Sequence, residues 1–136
     1  MGSPGKVYLI DTNVILRYLL DDHETYSPKS KAFMLQVSHG KRKIEIPAVV
    51  VVECVYVMEK YYGIPRTEIV GSISAVLNFS GIANSDRSEI LKALLAYENS
   101  NTDIVDCILA AQSSPEKPVI SFDKDLEKLK AETETL

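Results

Sequence analysis

The sequence predicts an α/β layered domain built around a mostly parallel sheet, and three observations carry that prediction. Short β-branched apolar runs alternate with longer segments of helical periodicity. The order strand, helices, strand, helices, strand, helices, strand, helix supplies the crossover connections that parallel strands need. N-cap residues and prolines open the helical segments, and glycines close several of them. Finally, 136 residues, 46% hydrophobic and 25% charged, have the length and balance of one globular domain. The same balance excludes a disordered chain, a coiled coil and a collagen-like repeat.

Val7-Tyr8-Leu9-Ile10 is a short apolar run suited to a buried strand. Asp11-Thr12-Asn13 offers several N-cap side chains, and Val14 to Leu20 follows as a helix. Ser27-Pro28 reads as an N-cap followed by proline at the first helical position, opening a helix that runs to about Ser38 and stops at Gly40. Ile44-Glu45-Ile46 is the second strand, closed by Pro47. From Ala48 to Tyr62 the four valines favour a strand, but the length, Pro47 and the stop at Gly63 favour a helix buried on most sides. Pro65 opens another helix, with Ile69, Val70, Ile73, Val76 and Leu77 on one face. Gly81-Ile82-Ala83 is a candidate third strand, and Asp86-Arg87-Ser88-Glu89 has a capping-box pattern ahead of Ile90, Leu91, Leu94 and Leu95. Asp103 to Ser113 is helical, Pro118 to Phe122 strand-like, and Asp123 to Lys130 a last short helix.

Residues 6–136 are expected to form a single domain, with 1–5 (Met-Gly-Ser-Pro-Gly) a flexible start or a cloning remnant. No apolar run is long enough to span a bilayer and no basic-then-apolar leader opens the chain, so a cytoplasmic protein without membrane contact is expected. Cys54 and Cys107 read as buried free thiols. Net charge is −4 and the pI about 5.2, against the broad basic face usual in nucleic-acid binders. Lys41-Arg42-Lys43 is the one dense basic run, in a segment that reads as a solvated turn. An acidic balance is compatible with a nucleic-acid substrate when bound cations supply the positive charge.

Where the acids fall is more telling than their total. In parallel α/β sheets, ligands bind beyond the carboxyl ends of the strands. Asp11 directly follows the first strand, Asp123 directly follows Pro118 to Phe122, and Glu53 sits in the first two turns after Ile44 to Ile46. At 1.5 Å per residue Glu53 is within about 10 Å of that strand's end. Asp106 lies in the first turn of a helix ahead of the last long strand and is a fourth candidate. Two unit charges 4 Å apart repel by about 4 kcal/mol at an effective dielectric of 20. Such a cluster therefore calls for protonation or bound cations. An all-oxygen set without His or Cys suits Mg²⁺ or Mn²⁺ rather than zinc, and a carboxylate-held Mg²⁺ suits phosphodiester hydrolysis.

Each acid also has a simpler role open to it. Asp11, Asp103 and Asp123 stand at helix N-cap positions, and Asp106 would favour a helix dipole. Glu53 interrupts a run of valines and Cys54-Val55, and those apolar neighbours disfavour the competing reading of a solvent-facing stripe.

Ile10-Asp11-Thr12-Asn13-Val14-Ile15-Leu16-Arg17 resembles the opening motif of PIN-domain nucleases, in particular VapC-type toxin ribonucleases. Val52-Glu53-Cys54-Val55, Asp106-Cys107-Ile108-Leu109-Ala110-Ala111 and Ser121-Phe122-Asp123-Lys124-Asp125-Leu126 resemble the second, third and fourth motifs, in order, from Val7 to about Leu129. The resemblance implies a three-layer α/β/α sandwich with a mostly parallel four- or five-stranded sheet, to which Ala131 to Leu136 is a poor match as a fifth strand. It also implies Mg²⁺- or Mn²⁺-dependent endoribonuclease activity on RNA, a homodimer and a small antitoxin protein as partner. By that matching Asp11, Glu53, Asp106 and Asp123 hold the metal and carry the catalysis. Thr12, Asn13, Ser121 and Asp103 are the residues to fix the carboxylates and their waters, with capping the alternative for each. No side chain reads as a dedicated general base, and His23 and His39 read as surface residues.

Other classes compete with this reading. One is a catalytically inactive PIN-like module that binds RNA or serves as a scaffold, which the retention of all four acids argues against. Another is an RNA-processing or DNA-cleaving nuclease of the same fold. A receiver-like phospho-accepting domain is disfavoured because Asp11 has no acidic neighbour beside it. The homodimer is expected to use the helices around Val49 to Tyr62 and Ile69 to Leu77, with Tyr61 and Tyr62 at the contact.

Overall fold

The computed structural model describes residues 5–136, so the flexible start expected at 1–5 lies outside the described residues except for Gly5. The chain is α/β, its elements divided between two compact units, Met1–Ser85 and Asp86–Leu136.

In the first unit β1 (Val7–Leu9) pairs in parallel with β2 (Lys43–Glu45), Tyr8 opposite Ile44. Between them come α1 (Thr12–Leu20) and α2 (Tyr26–Ser38), which pack on each other. The crossover works because α1 turns its Ile15 and Leu16, and α2 its Met34 and Val37, into the core around Ile44 and Ile46. The candidate strand at 81–83 reduces to a single parallel bridge from Ile82 to Ile44. It is pinned by Ile44 N–H to the Gly81 carbonyl at 2.9 Å and Ala83 N–H to the Ile44 carbonyl at 2.8 Å. Gly81 has to be glycine: a Cβ there would stand 2.1 Å from the Arg42 carbonyl oxygen and 2.7 Å from that of Val37. Asn84 continues the pairing with its side chain, accepting from Ile46 N–H and donating to the Ile46 carbonyl, both at 2.8 Å.

The long apolar segment after Pro47 is helical, as its length predicts, but in two registers. It is α-helical as α3 (Ala48–Tyr56) and π-helical over Val57–Tyr61, before Gly63 turns the chain at φ +62°. Then α4 (Arg66–Leu77) buries Ile69, Val70, Ile73, Val76 and Leu77 within the chain itself. These five side chains are taken up by the chain's own core. Val49, 72% exposed, and Tyr61, 85% exposed, remain as accessible apolar surface on the preceding helix.

The second unit contains α5 (Arg87–Glu98), α6 (Ile104–Gln112), β3 (Val119–Ser121), a 3₁₀ turn (Lys124–Leu129) and β4 (Thr133–Thr135). Helices α5 and α6 pack together, with Ile90, Leu94, Tyr97, Ile104 and Cys107 fully buried. The segment Ala131 to Leu136, a poor strand by sequence, supplies β4, parallel to β3 with Ile120 opposite Glu134. Thr-Glu-Thr has no apolar face, but an exposed strand is held by backbone hydrogen bonds alone. Among the described residues, ladder pairing comprises these two two-stranded sheets.

Several helix starts differ from their local signals. Ser27 lies inside α2 instead of capping it, because the helix begins two residues earlier than a Ser27 cap would place it, with Thr25 at the N-cap and the His23 side chain holding the turn before it. The Nδ1 of His23 accepts from Thr25 N–H at 3.2 Å and Tyr26 N–H at 2.9 Å, while Ser27 Oγ accepts from His23 N–H at 3.1 Å. Asp86 is the N-cap residue of α5 without a side-chain cap bond, so the capping box does not form. The basic run is only in part a solvated turn. Arg42 hydrogen-bonds Gln36 Oε1 at 2.8 Å and stands 5.7 Å from the Tyr8 ring centre and 5.6 Å from that of Phe33.

Candidate active site

Asp11 is the first residue beyond the β1–β2 ladder, whose last bond joins Ile10 N–H to the Glu45 carbonyl at 3.2 Å. It occupies the N-cap position of α1 in extended conformation, φ −84° and ψ 148°, yet its side chain makes no cap hydrogen bond. The backbone does the local work, Val14 N–H donating to the Asp11 carbonyl at 3.1 Å. The exposed carboxylate is thus available to a ligand instead of to the helix. Thr12 behind it is buried and Asn13 is exposed.

Glu53 is carried one and a half turns into α3, whose start is fixed by Pro47 and by the Asn84–Ile46 bonds. Its side chain is exposed, which corrects the expectation drawn from the valines and cysteine around it. Those neighbours bury the other faces of α3, and Glu53 takes the open one. The adjacent Cys54 is buried, and its thiol is pushed up to about 12, first by burial, then by the carboxylates of Glu53 and Asp11. One thiol therefore lies in the field of both acids, which brings Asp11 and Glu53 into one neighbourhood of the first unit.

The second unit has its own acidic group. Asp103 is the N-cap of α6, its Oδ1 accepting from Val105 N–H at 2.9 Å. Asp106, one turn on, is half-buried, and its carboxyl is raised above the ordinary value by burial first, then by Asp103, Asp123 and Asp125. Asp123 caps the 3₁₀ turn, Oδ1 accepting from Asp125 N–H at 2.8 Å, and its own N–H donates to Ser121 Oγ at 2.9 Å. Ser121 and Asp103 thus fix backbone turns, the alternative the sequence left open for each. Asp103, Asp106 and Asp125 share a cavity of about 450 Å³ with Ser100, Thr102 and Lys128. Lys128 pairs with Asp125 at 3.2 Å. A second cavity of about 370 Å³, lined by Leu109, Gln112, Pro118 and Val119 among others, holds no acid.

The donor chemistry fits a hard cation. In each group the candidate donor atoms are carboxylate oxygens; the Cys54 thiol stays protonated, and the His23 Nδ1 already accepts two backbone N–H groups. Among the described residues no three His, Cys, Asp or Glu side chains are arranged to hold one ion. Sequence reasoning read His23 as a surface residue, which it is, and did not single out Tyr26. The only signal for them was a polar loop ahead of Ser27-Pro28, and their stacked rings, 4.3 Å apart, appear only in three dimensions.

Residues 8–132 match the family model described as the PIN domain. The chain is 27% identical, over 123 residues, to a VapC ribonuclease of Aquifex aeolicus (strain VF5), the alignment covering 89% of this chain and 90% of that protein. No solved structure matches it significantly.

Proposed function

Because the chain belongs to the PIN-domain family, we propose that it is a Mg²⁺- or Mn²⁺-dependent endoribonuclease that hydrolyses RNA phosphodiester bonds as the toxin of a toxin–antitoxin pair. The observation that carries this reading is Asp106, a half-buried carboxyl raised first by burial and then by three neighbouring carboxylates, a setting in which a cation relieves the repulsion. The similarity to a VapC ribonuclease along nearly the whole of both chains supports RNA as substrate.

The reading takes 6–136 as one PIN-like domain, a three-layer sandwich in which Asp11, Glu53, Asp106 and Asp123 serve one reaction. Its support is a family match that runs through both compact units and the four motifs in their family order. Those four carboxylates would hold the ion, which when bound neutralises phosphate charge and acidifies water. The chain's own part is to orient and to move one proton. Asp123, with Oδ1 held by the Asp125 N–H, presents Oδ2 in a fixed direction. A carboxylate accepts the proton of the attacking water as its oxygen bonds to phosphorus, and the bond to the leaving ribose oxygen breaks as that oxygen is protonated from solvent. The toxin reading includes cytoplasmic action, a small antitoxin partner and a homodimer, for which the accessible Val49, Tyr61 and Tyr62 offer apolar surface.

Single-turnover cleavage of an end-labelled RNA in Mn²⁺ tests the reading. Wild type and Asp103→Asn should cut, and Asp106→Asn should not. Activity of both variants would refute the four-carboxylate site, and failure of the wild type in Mg²⁺ and Mn²⁺ alike would refute the enzyme.

A further inference from the structure

Beside Asp11, α1 and α2 enclose an open groove of about 200 Å³ lined by Asn13, Val14, Arg17, Tyr26, Lys29 and Ser30. It adjoins a second depression of about 230 Å³ with Ile10 and Phe33 in its wall. The spacing of three and four residues along both helices lays these side chains along the seam. Asn13 and Val14 stand in the first turn after Asp11, within about 10 Å of it along the helix. We infer that this groove binds one unpaired nucleotide of the RNA next to the cleaved bond, with Tyr26 as the platform for its base and Lys29 on its phosphate. The inference rests on the ribonuclease reading and adds to it a residue pair that selects how the strand enters.

Tyr26 is 57% exposed, yet its ring is not loose. The His23 imidazole stacks on it at 4.3 Å between ring centres and 12° between planes. That imidazole is itself held by the Thr25 and Tyr26 backbone N–H groups. A ring fixed from behind and open in front loses little freedom when a base stacks on it. Charge points to the same ligand. The Arg17 guanidinium is engaged by Asp22 at 2.6 Å, and Asp22 also accepts from the Tyr62 hydroxyl at 2.9 Å. Lys31 is paired with Asp21. Lys29 is exposed and forms no ion pair among the described residues. A purely apolar peptide would satisfy Val14 and Phe33 but would desolvate the Lys29 ammonium and the Asn13 amide without compensation. An anionic ligand with a flat ring meets all of them.

The experiment uses single-stranded RNA octamers carrying 2-aminopurine at successive positions, mixed with the full chain in Mg²⁺ by stopped flow. The rapid quenching before cleavage is titrated, and KM and kcat are taken on the same oligomers. One position should quench in the wild type. Tyr26→Leu should abolish that quenching and weaken binding roughly five- to tenfold, the lower range for a base stacked on an aromatic side chain. Tyr26→Phe should keep both, and Lys29→Ala should lower the salt slope of binding by about 0.7, the value for one phosphate contact on a single strand. KM should rise in Tyr26→Leu and Lys29→Ala while kcat holds. Absence of quenching at every position, or equal affinity in all variants, overturns the groove, and a peptide-type ligand is then the better occupant. Cleavage by the wild type in that case leaves the ribonuclease reading intact. Position-specific quenching with the expected variant effects but no cleavage supports the groove and refutes the nuclease.

Discussion

Asp106→Asn should make the protein more stable at neutral pH, and the size of the gain follows from what surrounds the carboxyl. Its pKa lies above the ordinary carboxylate value, through burial first and then through Asp103, Asp123 and Asp125. A group raised in the folded state contributes stability in full below its unfolded pKa and loses it as pH rises through the folded pKa. At pH 7 the ionised side chain is therefore a net burden, which the neutral amide of similar shape removes. Asp103 is its i−3 neighbour, and a like-charge pair at that spacing costs about 0.2–0.5 kcal/mol. With Asp123 and Asp125 added, and with a discount for screening of a side chain that still meets solvent, the total is about 0.5–1 kcal/mol. For a chain of this length that corresponds to a melting temperature higher by about 2–4 °C. Thermal melts of wild type and variant in low salt at pH 7 measure it directly. The gap should narrow in high salt and close as the pH is lowered below the ordinary Asp range, where both side chains are neutral. Saturating Mn²⁺ should narrow or reverse it, because the ion stabilises only the protein that keeps the carboxylate. An Asp106→Asn protein that melts at or below the wild type at pH 7, or a gap unchanged at acid pH, would refute the reasoning.

Other outcomes follow from the same structure. Asp103→Asn should leave stability within a few tenths of a kcal/mol, since Asn caps as well as Asp, whereas Asp103→Ala should lose about 1 kcal/mol with the Val105 N–H cap, read by chemical denaturation. Asp11→Asn should not lower the melting temperature, because the Asp11 side chain caps nothing, but should remove the stabilisation that Mg²⁺ or Mn²⁺ gives the wild type. Gly81→Ala should destabilise by about 2–3 kcal/mol, because the clashing atoms at 2.1 and 2.7 Å are backbone carbonyls that cannot swing away. Cys54, with its thiol pushed up to about 12, should resist alkylation at pH 8 in the folded chain and react only on unfolding, as followed by mass spectrometry.

The acids at the strand ends were legible because the signals involved are short-range. Asp103 and Asp123 cap as their sequence neighbours predict, each through a backbone N–H two residues on. The parallel order of β1 and β2 followed from the two helices that must connect them. Glu53 was misjudged because α3 is apolar nearly all round, so the pattern does not say which side meets solvent. The π-helical register at Val57–Tyr61 leaves no mark in a run of that kind either. β4 was missed because Thr133-Glu134-Thr135 has no hydrophobic alternation, and its strand conformation comes from the partner β3.

Local chemistry, then, determined the order of elements, their caps and the positions of the acids along the chain, since each depends on residues within a turn or two of one another. Tertiary structure alone decided which of those acids stay out of helix caps and which neighbours perturb them. Asp11 stands uncapped because the α1 backbone closes its own first turn, and Asp106 is crowded because the turn after β3 brings Asp123 and Asp125 within its field. Tyr26 becomes a platform because a loop folds His23 behind it, a contact made by ring stacking and hydrogen bonds to the backbone, which composition and periodicity do not encode.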